Sequence, residues 1–194
     1  MEPNDKTMDA VTARLTDGTV VRLRPIGPDD KPLLEHGMER LSSASRRLRF
    51  MASVDRLSRS QLAYLTEIDH SAHVAWGALV DDEPVAVARI VQLHDQRDSA
   101  ELAITVLDDW QRRGIGKLMV RVMAELGRSL GLSRFTFDAL PENKGITSLL
   151  GGFGAKYALI DGIVSGAVEI GQIPPPDLAG DLGELAIAAR LLAS

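Results

Sequence analysis

The stretch from Ala100 to Arg128 constrains this chain more than any other. Leu102, Ile104 and Val106 alternate with Ala103, Thr105 and Leu107, the period of a strand. A polar loop follows, Asp108-Asp109-Trp110-Gln111-Arg112-Arg113, and leads through Gly114-Ile115-Gly116 into a helix. Along that helix Ile115, Leu118, Met119, Val122, Met123 and Leu126 recur at three- and four-residue steps, which makes one apolar face. A strand, a glycine-bearing loop and a helix in that order build an anion site. The first helical N–H groups have no intrahelical acceptor, and the helix dipole adds partial positive charge there. Arg112, Arg113 and Lys117 bring formal charge to the same place.

That local cluster runs against the overall sign, since the chain carries a net charge of −5. General nucleic-acid binding is therefore not expected. The 194 residues suffice for one domain with a sizeable core, and 45% hydrophobic with 25% charged residues is the balance of a globular protein. There is no cysteine, so disulfides, thiolate catalysis and cysteine metal sites are excluded. The four histidines show no HExxH-like spacing, and His70-Ser71-Ala72-His73 reads as a surface turn, so no metal is expected. No apolar run reaches membrane-spanning length and the first ten residues lack a signal-peptide core. A cytoplasmic location without membrane contact is the expectation.

Residues 1–14 are polar and read as a flexible terminus. Thr19 to Arg24 reads as a strand with Val21 and Leu23 on one side, and Asp29 or Asp30 caps a helix to about Leu41. Ser42 to Ser45 reads as a second cap; in the run after it, Arg46, Arg47 and Arg49 read as a solvated face, the alternative being contact with an acidic substrate. A helix near Arg59 to Ile68 precedes strands His73 to Val80 and Glu83 to Gln92, a hairpin turning at Asp81-Asp82. Beyond the central helix, Gly131 is its stop, Arg134 to Ala139 a strand and Lys144 to Leu150 a short helix. Tyr157 to Ile160 and Ile163 to Ile170 form a last pair, with Tyr157 packed in the core. Pro174 to Pro176 make a stiff break before a helix from Leu182 to Ala193, whose apolar face suits either a homodimer contact or a return to its own sheet. The expectation is an α/β (α+β) layer fold: a flexible segment 1–14, a domain at 15–172, and a proline break and helix at 173–194. The unit from 100 to 139 should be a parallel crossover, with its ligand at the carboxyl end of the first strand.

The loop is neither of the common nucleotide loops. Gly116-Lys117 is followed by Leu118 instead of Ser or Thr, and Gln111 stands where a P-loop has its first glycine. Gly114-x-Gly116 continues to Met119, without the third glycine of a dinucleotide fingerprint. Gln111-x-x-Gly114-x-Gly116 after an apolar strand resembles the pyrophosphate loop of the GNAT acyltransferases, whose pattern is Gln/Arg-x-x-Gly-x-Gly/Ala. The segments LRPIGPDDKPLL, ERLSSASRRLRF and ELAITVLDDWQRRGIG further resemble the catalytic domain of bacterial Pat-type protein lysine acetyltransferases, over roughly residues 17–170. Many mycobacterial members also carry a cyclic-nucleotide-binding domain, for which this chain is too short. The second family motif also departs: where a tyrosine and a Gly-Phe pair follow the asparagine, this chain has Leu150 and Gly154-Ala155.

The resemblance implies a GNAT fold: a mixed sheet with a splayed parallel strand pair and helices on both faces. It implies acetyl-CoA as cosubstrate, with pantetheine paired to the open edge at Ile104, Thr105 and Val106. The pyrophosphate would rest on the loop Gln111, Arg112, Arg113, Gly114, Ile115, Gly116 and Lys117, with Asn143 bonding the pantetheine or a phosphate edge or capping its helix. The alternative for Arg46, Arg47 and Arg49 extends to contact with the ends of CoA. It implies a catalytic glutamate at Glu101, whose pKa desolvation by the surrounding strands could raise, the alternative being a solvated strand-end carboxylate, and the Val106 N–H as oxyanion donor. The acceptor would be a primary amine, with a protein lysine as the candidate. Leu150 cannot serve as acid, so none is assigned. The altered second motif keeps open a different class, a silent GNAT-fold acyl-CoA sensor.

Overall fold

The computed structural model describes residues 10–193. Its elements, in chain order, are β1 (Val11–Arg14), β2 (Val20–Pro25), α1 (Lys31–Arg40), α2 (Ser43–Phe50), α3 (Arg59–Thr66), β3 (His73–Val80), β4 (Glu83–Gln92), β5 (Ser99–Val106), α4 (Ile115–Ser129), β6 (Arg134–Ala139), α5 (Lys144–Gly151), β7 (Lys156–Ile160), β8 (Ile163–Glu169) and α6 (Leu182–Leu192). The strands form one sheet in the order β1-β2-β3-β4-β5-β6-β8-β7. All neighbours are antiparallel except β5 and β6. No helix among the described residues is long and apolar enough to cross a membrane.

Alternation explains the layers. In β5 the side chains of Ala100, Leu102, Ile104 and Val106 join the main core under α4, while Glu101, Ala103 and Thr105 face the opposite side. Every residue of the expected apolar face of α4 is buried, Ile115, Met119, Val122 and Met123 completely. Each such side chain contributes about 1.5–3 kcal/mol, which fixes α4 against the sheet. Gly131 ends α4 as expected: its N–H donates to the Arg128 carbonyl, and the Leu132 N–H to that of Gly127, a Schellman closure. On the other face α1, α2 and α3 cover β4 and β5, with Met38, Leu41 and Leu107 in one cluster and Ile26, Ile68 and Ala75 in another.

Three expectations change. Residues 1–9 lie outside the described residues, but Val11–Arg14 is a strand paired with β2, so the chain is tied down earlier than position 15. The segment after Pro176 is not a separate appendage. The Ala179 N–H donates to the Thr12 carbonyl, and Leu182 and Ala186 enter the main core. Of the two readings for α6, the return to its own sheet is the one observed. Tyr157 starts a strand as expected but is half exposed, because β7 is an edge strand with every residue exposed.

Candidate active site

The parallel pair joins only at its start. Ser99 to Glu101 pair with Arg134 to Thr136, and beyond Glu101 the two strands separate while β6 stays paired with β8. On its other edge β5 pairs with β4 from Ala100 through Val106. The ladder decides which backbone groups meet the opening. Near the strand ends the Leu93 N–H donates to the Ser99 carbonyl and the Leu107 N–H to the Val85 carbonyl, each at 2.9 Å. Hydrogen-bonded residues alternate in an antiparallel ladder, so Ser99, Glu101, Ala103, Thr105 and Leu107 turn their backbone groups to β4. Ile104 and Val106 turn theirs to the opening. Thr105 is therefore a correction: its backbone is occupied by Val87 and only its neighbours present open groups. The Val106 carbonyl accepts from the Gln111 side-chain amide at 3.1 Å, which leaves the Val106 N–H directed into the gap. Gln111 thus braces the strand end, a role that differs from direct phosphate contact.

The loop continues this open edge. The Leu118 N–H donates to the Gly114 carbonyl at 3.0 Å, the first bond of α4. From Arg112 through Lys117 no backbone N–H meets an acceptor among the described residues, and no side chain caps the helix. Arg112 at φ 61° and Gly114 at φ 96° curl the chain so that these donors converge. Gly116 serves packing as well: a Cβ there would lie 3.2 Å from the Leu149 side chain of α5. Arg112 and Lys117 extend into solvent. Arg113 does not, because its guanidinium stacks 4.2 Å over the Trp110 ring and pairs with Asp17 at 2.7 Å. The Arg113 hydrogen bonds hold the Asp17 carboxyl down at about 2, below its ordinary 3.8. The charge of Arg113 is thus spent on anchoring the loop, and only its N–H remains for an anion.

Asn143 caps α5: its Oδ1 accepts from the Ile146 N–H at 3.2 Å, and its amide nitrogen stays available to donate. Glu101 ends the part of β5 that is paired with β6, and it is exposed. The neighbouring charge is Arg49 of α2, which feels Glu101 and Tyr64. Leu150 is fully buried and carries no proton to give.

The environment of Glu101 includes one residue that the sequence places on a solvated face. Arg49 was expected on a solvated face; instead it is largely covered, and burial lowers its pKa. Arg46 is also turned inward, donating to the carbonyls of Met38 and Leu41, so only Arg47 stays exposed, paired with Glu142. Asp108 is the reason α2 sits here. Burial works against its charge, but its carboxylate accepts from the hydroxyls of Ser45 and Ser42 and from the Ser42 N–H, which together lower its pKa. Ser42 and Ser45 announce a helix cap in sequence; their partner lies more than sixty residues away and leaves no local signal.

The profile described as the acetyltransferase (GNAT) family matches residues 38–154. Acetyltransferase Pat of Mycolicibacterium smegmatis is 31% identical over 172 residues, 86% of this chain and 50% of that protein. Acetyltransferase PA5475 of Pseudomonas aeruginosa is 29% identical over 60% of this chain and 64% of its own length. The chain thus spans about half to two thirds of these relatives. Among solved structures, the GNAT domain of S. lividans PAT aligns with a TM-score of 0.79 at 27% identity, covering 87% of this chain and 99% of that one. The splayed β5–β6 pair, the uncapped start of α4 and a profile match over most of the domain agree: the chain belongs to the GNAT acetyltransferase family.

Proposed function

We propose that this chain transfers an acetyl group from acetyl-CoA to a primary amine by direct attack in a ternary complex, with a protein lysine as the acceptor. The observation that carries this reading is two neighbouring groups of unmatched backbone donors, Ile104 and Val106 on the open strand edge and the N–H groups of Arg112–Lys117 at the start of α4. The first two suit the amide-bearing pantetheine arm, which adds to an open strand edge. The rest suit a pyrophosphate, with Arg112 and Lys117 adding charge and Asn143 a side-chain donor. The resemblance of residues 17–170 to Pat-type protein lysine acetyltransferases is what suggests the lysine.

A free lysine has a pKa of about 10.4 and must lose a proton before it attacks. Glu101, on the strand that bears the open edge, takes that proton directly or through one water; its exposure lets the proton pass to solvent. As the amine attacks the thioester carbon, negative charge gathers on the thioester oxygen, and the Val106 N–H donates to it. Collapse expels the thiolate of CoA, whose pKa of about 8.5 lets it leave without an acid, consistent with a buried Leu150 where the family motif carries a tyrosine.

Two measurements test the reading. Acetyl-CoA at 100 times its dissociation constant should stabilise the fold by about 2.7 kcal/mol, and ATP or NAD should not; absence of a shift with any CoA species rejects the site. Glu101→Gln should lower turnover by about 10²–10⁴ while acetyl-CoA binding is retained. Near-normal turnover in that variant removes Glu101 as the base.

A further inference from the structure

Between the sheet and helices α1–α3 lies a cleft of about 800 Å³, measured out to its open mouth. Its walls are mainly aliphatic and aromatic, with Leu34, Met38, Phe50, Leu57, Leu65 and Val87 among them. Three arginines also line it, Arg24, Arg49 and Arg89. They differ in one respect. Arg24 is neutralised within the protein: both of its terminal nitrogens donate to Asp30, at 2.8 and 2.5 Å. Arg49 and Arg89 have no carboxylate within salt-bridge distance among the described residues.

Arg89 is only 5% exposed. Its partners are a neutral pair, the His73 ring nitrogen at 2.9 Å and the Leu65 carbonyl at 3.5 Å. Burial depresses His73 to about 4, and the charge of Arg89 adds to this, so the ring stays neutral and accepts. Arg49 has no hydrogen-bond acceptor among the described residues and lies 5.2 Å over the Phe50 ring. The two guanidinium groups also repel each other, which together with burial lowers Arg89 to about 10. Glu101 attracts Arg49 only from beyond salt-bridge distance and the acceptors of Arg89 are neutral, so neither guanidinium, one buried and one largely covered, has a carboxylate in contact to offset its lost hydration. Arg24 shows, on the same wall, what the compensated arrangement looks like. The missing charge is therefore negative, and the wall it would stand on is apolar.

We infer that this cleft is a binding site for an apolar-tailed carboxylate, its head held by Arg49 and Arg89 and its tail laid along α1 and α3. The position next to the proposed base gives this ligand two sources. Arg89 is opposite Ala103, so Glu101 is its diagonal neighbour on the same face of the sheet, about 7–8 Å away between backbones. An apolar amino acid would bridge that gap, with its carboxylate on the arginines and its amine at Glu101 as an acetyl acceptor. A fatty-acid-like carboxylate without an amine would instead occupy the cleft as an effector beside a protein lysine. Only the first source depends on the acetyl-transfer reading.

Calorimetric titration of the intact chain with octanoate, octylamine and acetate tests the site without acetyl-CoA. Octanoate should bind, and octylamine and acetate should bind at least about tenfold more weakly, for want of the charge or the tail. Arg49→Gln and Arg89→Met should each weaken octanoate about tenfold or more, the loss expected of a charged hydrogen bond. The thermal shift with acetyl-CoA should persist in both variants. Arg89→Met should melt no lower than the parent, because it removes an uncompensated charge. Octylamine binding as well as octanoate, or octanoate binding unchanged in both variants, overturns the proposal even where acetyl-CoA still binds. Release of CoA thiol with leucine or phenylalanine identifies the amino acid as the source; octanoate binding with neither turned over identifies the effector.

Discussion

Two strand–loop–helix units leave the same end of the sheet side by side. β5 leads through residues 107–114 to α4, and its parallel neighbour β6 leads through residues 140–143 to α5. Their helix starts are opposite in kind. At α5 the N-cap is Asn143, whose own oxygen takes the Ile146 N–H, while the Thr147 hydroxyl bonds back to the Asn143 and Lys144 carbonyls. At α4 the N-cap is Gly114, which has no side chain to offer, and the donors from Arg112 to Lys117 stay open. One topology thus makes a closed cap or an anion cradle, and the identity of a single residue decides which. The length and anchorage of the helix follow the same division. α4 has fifteen residues and a continuous buried face, so it tolerates an uncapped start; α5 has eight, of which two are buried, and is capped by its own asparagine.

The sharpest way to break this comparison is to make the first loop like the second. Gly114→Asn gives α4 a capping oxygen on a residue type that accepts left-handed backbone better than most. The folded state should be little changed in stability while acetyl-CoA binds about tenfold or more weakly, since the new oxygen competes for the donors. Gly114→Val should lose both. At φ 96° a branched residue is strained by about 1–3 kcal/mol, which corresponds to roughly 5- to 150-fold in any equilibrium that needs the loop formed. Titration with acetyl-CoA and thermal melting separate the two variants. Gly114→Asn binding acetyl-CoA normally would mean that the open N–H groups are not the anion site.

Much of this contrast was legible before any coordinates. The three- and four-residue repeat of α4, the glycine pair and the hairpin turn at Asp81-Asp82 are local signals, and each element formed where they placed it. What was not legible depends on distant partners. Val11–Arg14 is a strand only because β2 and Ala179 pair with it. Arg49 is drawn inward because Asp108 holds the start of α2, and nothing near Arg49 announces that. Thr105 and Ile104 look alike as strand residues, yet the register against β4 gives one a paired backbone and the other an open one. Tyr157 has the composition of a core strand and is half exposed because β7 ends the sheet.

A smaller effect is expected on the second unit. Asn143→Ala removes the α5 cap and should cost about 1 kcal/mol of stability. Asn143→Asp keeps the capping oxygen and loses the amide donor, so it should fold as the parent does but hold acetyl-CoA less tightly. Equal acetyl-CoA affinity in Asn143→Asp and the parent would confine Asn143 to its cap and sharpen the division between an open α4 start and a closed α5 start.

The smallest effect lies in what holds the open loop in shape. Asp17 anchors Arg113, and Arg113 stacks on Trp110 just before the open donors. Its carboxyl titrates near 2 in the folded chain, against 3.8 ordinarily. A depressed carboxylate stabilises the fold above the ordinary value, and that contribution disappears as pH falls from about 4 toward 2. Because the pair faces solvent, it is screened and its share of global stability is small. Its effect should instead appear as a local loosening of the loop. Asp17→Asn should melt within error of the parent at pH 7, yet exchange amide hydrogens faster from Arg112 to Lys117. Lowering the pH of the parent through the same window should reproduce that local change, after correction for the pH dependence of intrinsic exchange, and high salt should mimic it in part. If the loop amides are as protected in Asp17→Asn as in the parent, the Trp110 stack and the backbone turn at Arg112 and Gly114 suffice to hold the cradle. The openness of the first unit would then be a property of its backbone alone.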